Sequence, residues 1–318
     1  MRTGIIWNPS KIERDVLEAA LADAAEAASI DDVRWWETKE EDPGQGVAEA
    51  AIAAGAELLI VAGGDGTVRA VAEHLADTSA DVELAIIPLG TGNLFARNLD
   101  IPINDVPAAF ELALSGEARP IDVGWVELQR EGGSERHGFV VMVGFGLDAQ
   151  MLAETDDDLK DKAGWLAYVE SLGRAWSASD VVRFTITTDD GVPQEREGHT
   201  FLVANCGTIQ GGMRLLPGAD PSDGELDYLV LSAEGVVQWL GTLKTMLWDN
   251  GLKEVIQPSD EVTDTDSARH GRAVTVDVTL PEALAFEIDG EEAGETRAFT
   301  VTIQPSAIRV KAEQAPAS

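Results

Sequence analysis

The chain has 318 residues, enough for two domains with separate cores. Its 57 acidic and 23 basic residues give a net charge of −34, a field that opposes nucleic-acid backbones and anionic membranes alike. The only cysteine, Cys206, excludes a disulfide within the chain, and His74, His137, His199 and His270 lack the spacing of a zinc site.

In chain order, the first third alternates strand and helix. Thr3–Trp7 reads as strand, Ile12–Ala28 as an alanine-rich helix, Val33–Glu37 as strand and Gly46–Ala54 as helix. Leu58–Val61 and Leu84–Ile87 are continuous apolar runs, the pattern of parallel strands buried on both faces. Each is followed by a glycine-rich loop, Ala62-Gly63-Gly64-Asp65-Gly66-Thr67 and Pro88-Leu89-Gly90-Thr91-Gly92-Asn93, with helices expected from about Thr67 and Asn93. This alternation predicts a three-layer α/β domain over residues 1–120, with its ligand at the carboxyl ends of the strands.

After Arg119-Pro120 the pattern turns β-rich, with runs at Ile121–Leu128, Gly138–Val143, Val181–Thr187, Thr200–Asn205, Leu226–Leu231, Val274–Leu280 and Phe299–Ile303. Helical segments near Leu159–Trp176 and Gly235–Asn250 interrupt them. A second, mostly antiparallel domain over 121–303 is predicted, with 304–312 returning to the first. Pro258–Arg272 is polar and aperiodic and reads as a mobile surface loop, and the tail from Glu313 as disordered. Nothing has the form of a signal peptide and no apolar stretch reaches the ~20 residues of a spanning helix, so a cytoplasmic protein is expected.

Glycine lets main-chain N–H groups converge on an anion, and the following helix adds its positive dipole end, so the two loops point to phosphate. Asp65 among those amides suggests a magnesium ion. Thr91 and Asn93 add hydrogen-bond donors. The nearest fixed cations are Arg69 and Arg97, which read more readily as surface residues. The third glycine of the dinucleotide fingerprint is missing, and no glycine-lysine-serine phosphate loop occurs. Three further acidic turns follow: Asp122 in Pro120–Gly124, the set Asp220, Asp223, Glu225 and Asp227 around Gly224, and Ile288-Asp289-Gly290-Glu291. Asp289 and Glu292 read as solvated turn residues.

In this order and at these separations, GGDGT, GTGN, IDVG, DGELD and IDGE resemble the diacylglycerol kinase catalytic family, from Ile5 to about Val310. The resemblance implies an ATP- and magnesium-dependent lipid kinase with its site in the cleft between an α/β domain and a β-sandwich-like domain. It implies nucleotide contacts from Asn8, Thr38, Gly63, Gly64, Asp65, Gly66, Thr67, Gly90, Thr91 and Asn93, and Glu291 as general base. It implies a magnesium network of Asp65 with Asp122, and a structural magnesium held by Asp223 with the carbonyls of Asp220 and Glu225. Many soluble relatives carry an acid where this chain has Leu94, so the lipid stays open. NAD kinases share GGDGT, and a nucleotide- or lipid-binding regulator that has lost catalysis is a further alternative. The apolar faces Trp165/Tyr168/Val169/Leu172/Trp176 and Val236/Trp239/Leu240/Leu243/Met246/Leu247/Trp248 read chiefly as packing, with rim tryptophans suited to transient contact at the inner face of the membrane. A homodimer is compatible with this family.

Overall fold

A computed structural model describes residues 2–28, 32–146, 181–209, 214–231 and 268–313. The expected helices near 159–176 and 235–250, with their apolar faces, lie outside the described residues, as does 258–267 of the expected loop.

The first half is a parallel sheet of β1 (Arg2–Trp7), β2 (Asp32–Glu37), β3 (Leu58–Gly63) and β4 (Glu83–Pro88) in the order β4-β3-β1-β2. The period of two along each strand divides its apolar residues between two helical layers. Ile5, Leu58, Ile60 and Ile87 pack on α1 (Arg14–Ala28) and α5 (Val106–Ser115), while Ile6, Leu59, Val61 and Ile86 pack on α2 (Gln45–Ala53) and α3 (Asp65–Thr78). Both faces are covered, which is why β3 and β4 are apolar at every central position. Helix α5 was not among the expected elements; Asp105 caps it, its side chain accepting from Ala108 N at 3.0 Å.

The second half is antiparallel. It contains β5 (Ala118–Arg130), β6 (Gly133–Phe139), β7 (Met142–Phe145), β8 (Val182–Thr187), β9 (Gln194–Gly198), β10 (Thr200–Ala204), β11 (Leu226–Leu231), β12 (Ala268–Ala273), β13 (Thr275–Ile288) and β14 (Glu291–Lys311). Phe139, Phe145, Phe184, Phe201, Phe286 and Phe299 fill its core. The end of the expected surface loop is in fact strand β12, paired with β11 from Leu231↔Ala268 to Leu226↔Ala273. Two long strands tie the halves together. β14 runs antiparallel to β5, breaks register between Gln304 and Ile308, then pairs in parallel with β4 at Arg309 and Val310.

Candidate active site at the glycine loops and the hairpin tip

β3 ends at Gly63, Gly64 caps α3 in an extended conformation, and the helix begins at Asp65, two residues before the expected start. The second loop leads from β4 into α4 (Leu94–Asn98). The loops touch backbone to backbone, since a Cβ on Gly90 would stand 2.9 Å from the Gly64 Cα. Glycine is therefore required here by the loop contact itself.

Asp65 binds the two loops together. Its Oδ2 accepts from Asn93 N at 2.8 Å and its Oδ1 from Leu94 N at 2.6 Å, so it satisfies the first N–H groups of α4 from another helix. Burial pushes its carboxyl above the usual range, opposed by those hydrogen bonds, with the charge of Glu291 adding to the rise. Asn93, expected to donate to a ligand, instead closes its own loop: its Oδ1 accepts from Gly90 N at 2.8 Å and its Nδ2 donates to Gly90 O at 2.7 Å. The Nε of Arg97 is likewise committed, donating to Gly92 O at 2.7 Å.

The strands β13 and β14 meet at Asp289-Gly290. Both have positive φ, 50° and 81°, the two-residue hairpin geometry that favours Asp-Gly. Contrary to the expected solvated turn, Asp289 is buried, 4% exposed, and its carboxylate accepts three main-chain N–H bonds, from Val140 (2.9 Å), Val141 (2.8 Å) and Met142 (2.9 Å). Burial raises its carboxyl to about 6 against the pull of the Val140 hydrogen bond, the Arg69 charge, and the Met142 and Val141 bonds. The clamp fixes the hairpin tip, and Glu291, two residues on, projects over the first turn of α3. A Cβ on Gly66 would stand 2.6 Å from Glu291 Oε1, and Arg69 Nη2 donates to Glu291 Oε2 at 2.5 Å. Arg69 is thus an oriented partner, its side chain 19% exposed, and not the free surface residue expected.

Loops and hairpin enclose a cavity of ≈510 Å³ between the two halves. Of the expected residues, Asn8, Gly64, Asp65, Gly66, Thr67, Gly90, Thr91 and Glu291 line it. Gly63, Thr38, Asn93 and Asp122 are not among its lining residues; Thr38 is buried with its hydroxyl donating to Trp7 O at 3.4 Å. Leu94, Met142, Val143, Leu202 and Ile209 form an apolar wall, and Lys11, which sequence reasoning passed over, also faces the cavity.

Among the described residues no group of three or more His, Cys, Asp and Glu could hold a metal ion. Asp122 is buried at the junction of the halves, with Oδ1 accepting from Ser306 N at 2.6 Å and Oδ2 from Gly224 N at 2.8 Å, so it braces the bulge of β14 against the 220–227 turn. Asp65 does fit a divalent ion bound with a nucleotide, because one N–H bond per oxygen leaves each a second lone pair and the residue lines the cavity. In the 220–227 turn the acidic side chains already have partners within the protein. Asp220 Oδ1 accepts from Ser222 Oγ at 2.6 Å, and the Arg272 guanidinium pairs with Asp223, with Glu225 at 3.0 Å and with Asp227 at 3.6 Å. A cation already fills that acidic turn.

Comparison with known proteins agrees on both halves. Residues 3–126 match the diacylglycerol kinase catalytic domain, and residues 141–312 match the YegS C-terminal NAD kinase beta sandwich-like domain. The chain is 32% identical over 274 residues to a Pseudomonas aeruginosa protein named "Probable lipid kinase YegS-like", covering 86% of this chain and 82% of that one. It is 28% identical over 300 residues to the diacylglycerol kinase of Bacillus subtilis, covering 92% and 90%. In fold it is similar to a crystal structure of a diacylglycerol kinase from Bacillus anthracis, with a TM-score of 0.69 over 98% and 97% of the two chains and 23% identity.

Proposed function

The chain belongs to the diacylglycerol kinase catalytic family of lipid kinases, and we propose that it transfers the γ-phosphate of ATP to the hydroxyl of diacylglycerol or a related lipid alcohol. The observation that carries this reading is Glu291, brought by a clamped hairpin to the N-terminal turn of α3 where the two glycine loops meet.

The N–H groups at Gly64 to Thr67 offer a preorganised bed for the phosphates, reinforced by the dipole of α3. A lipid hydroxyl is a weak acid, so its attack on phosphorus is helped by a carboxylate that takes the proton as the bond to oxygen forms. Glu291 has that role; Arg69 holds its Oε2, leaving Oε1 toward Gly66. A magnesium ion bound with ATP, held by Asp65, would offset charge on the phosphate oxygens. The wall of Leu94, Met142, Leu202 and Ile209 suits an acceptor whose hydroxyl is attached to an apolar body. Because that acceptor resides in a bilayer, the enzyme works at the membrane surface in transient contact.

Purified protein given γ-labelled ATP and magnesium, with diacylglycerol, monoacylglycerol, sphingosine, ceramide or NAD in separate reactions, tests this. Label in one of the lipids is the expected result. Label in NAD alone, or in no acceptor while ATP still binds, contradicts it.

A further inference from the structure

Four acidic residues are among those lining the cavity, Asp65, Glu287, Asp289 and Glu291, and among the described lining residues there is one cationic side chain, Lys11. A nucleoside triphosphate would bring further negative charge into a chain already at −34. Loop N–H groups and a helix dipole supply partial charges only, so the terminal phosphates gain from a full positive charge close by.

Lys11 is placed for that task by the turn after β1. Its N–H donates to Asn8 O at 3.1 Å, and the Asn8 Oδ1 accepts from Ser10 N at 3.0 Å and Ser10 Oγ at 2.7 Å, which fixes the turn. The side chain reaches over the glycine loop, its Cε 4.0 Å from where a Gly64 Cβ would stand. Glu291 stands over Gly66 in the same helical turn. Lys11 has no ion pair among the described residues, whereas Arg69 is paired with Glu291 and Arg97 is bound to the Gly92 carbonyl.

We infer that Lys11 is the phosphate-binding cation of this site: its ammonium receives the terminal phosphates over Gly64, while Glu291 faces the acceptor hydroxyl over Gly66. The inference rests on the nucleotide reading above and adds to it the residue that reads the length of the phosphate chain. An ammonium on a flexible stem suits this, because it can follow the γ-phosphate as the bond to the leaving oxygen lengthens.

The test is the affinity of wild type, Lys11→Met and Lys11→Arg for ATP, ADP and AMP, measured by competition against a fluorescent nucleotide. Lys11 is exposed at the cavity mouth, so the variants retain the fold, and circular dichroism checks this. The expected result is ATP binding about 10- to 100-fold weaker in Lys11→Met, the change for losing a hydrogen bond to a charged group. AMP binding stays unchanged and Lys11→Arg recovers most of the loss. A ratio of ATP to AMP affinity equal to that of wild type in Lys11→Met overturns the role of Lys11 and leaves the nucleotide site standing. A wild-type protein that binds none of the three overturns the nucleotide site and the role of Lys11 with it.

Discussion

Asp289 and Glu291 are two residues apart and do opposite things, because one hairpin turn buries the first and presents the second. The three N–H donors on Asp289 come from residues 140–142, nearly 150 positions away, and no local pattern in Ile288-Asp289-Gly290-Glu291 announces them. An acidic turn in an acidic chain reads as solvated until its partners are known. Its raised carboxyl has a consequence for stability. The folded state holds a proton on Asp289 up to about pH 6, while the unfolded state releases it near 3.8. The contribution of this group to stability is therefore fullest at low pH and is lost as pH rises through that window, by roughly 2–3 kcal/mol in total. In Asp289→Asn that slope is absent. Urea unfolding of both proteins between pH 4.5 and 7.5 should show wild type losing ground to the variant as pH rises; a difference constant with pH would rule this out.

Among the elements, the glycine loops and the strands before them were legible, because an apolar run of four residues closed by glycines has few other uses. What the sequence hid was which loop atoms serve the ligand and which serve the loops. Asp65, Asn93 and Gly90 hold the loops to each other, and the cavity cation lies on a third loop, at Lys11. Helix α5 could have been found from Asp105 and the proline in its first turn. Strand β12 could not, since Arg269, His270 and Arg272 carry no apolar alternation. Two outcomes test elements directly. Gly66→Ala places a methyl against Glu291 Oε1, and turnover should fall at least about tenfold, with far-ultraviolet circular dichroism unchanged. In the 220–227 turn, Arg272 serves as the cation for Asp223, Glu225 and Asp227. Chelator should leave the wild-type melting temperature in place. Arg272→Met should lower it by about 2 °C and make it rise with added magnesium. A wild-type melting temperature that drops in chelator would show a bound metal instead.

At the scale of the whole molecule, β5 and β14 run through both halves, so the glycine loops and the hairpin tip sit on a shared frame and not on a loose hinge. The net charge of −34 opposes contact with an anionic bilayer. Binding to anionic vesicles should be weak at low ionic strength and should strengthen as salt screens the repulsion; a steady loss of binding with salt would mean that a basic patch governs the encounter. The proposed role of Glu291 as general base is tested most directly by Glu291→Gln. The measurement is labelled phosphate transfer from ATP to the accepted lipid, with ATP affinity determined on the same samples. ATP affinity should be unchanged and turnover reduced by about 10²–10⁴, whereas near-normal turnover in Glu291→Gln would contradict the base role.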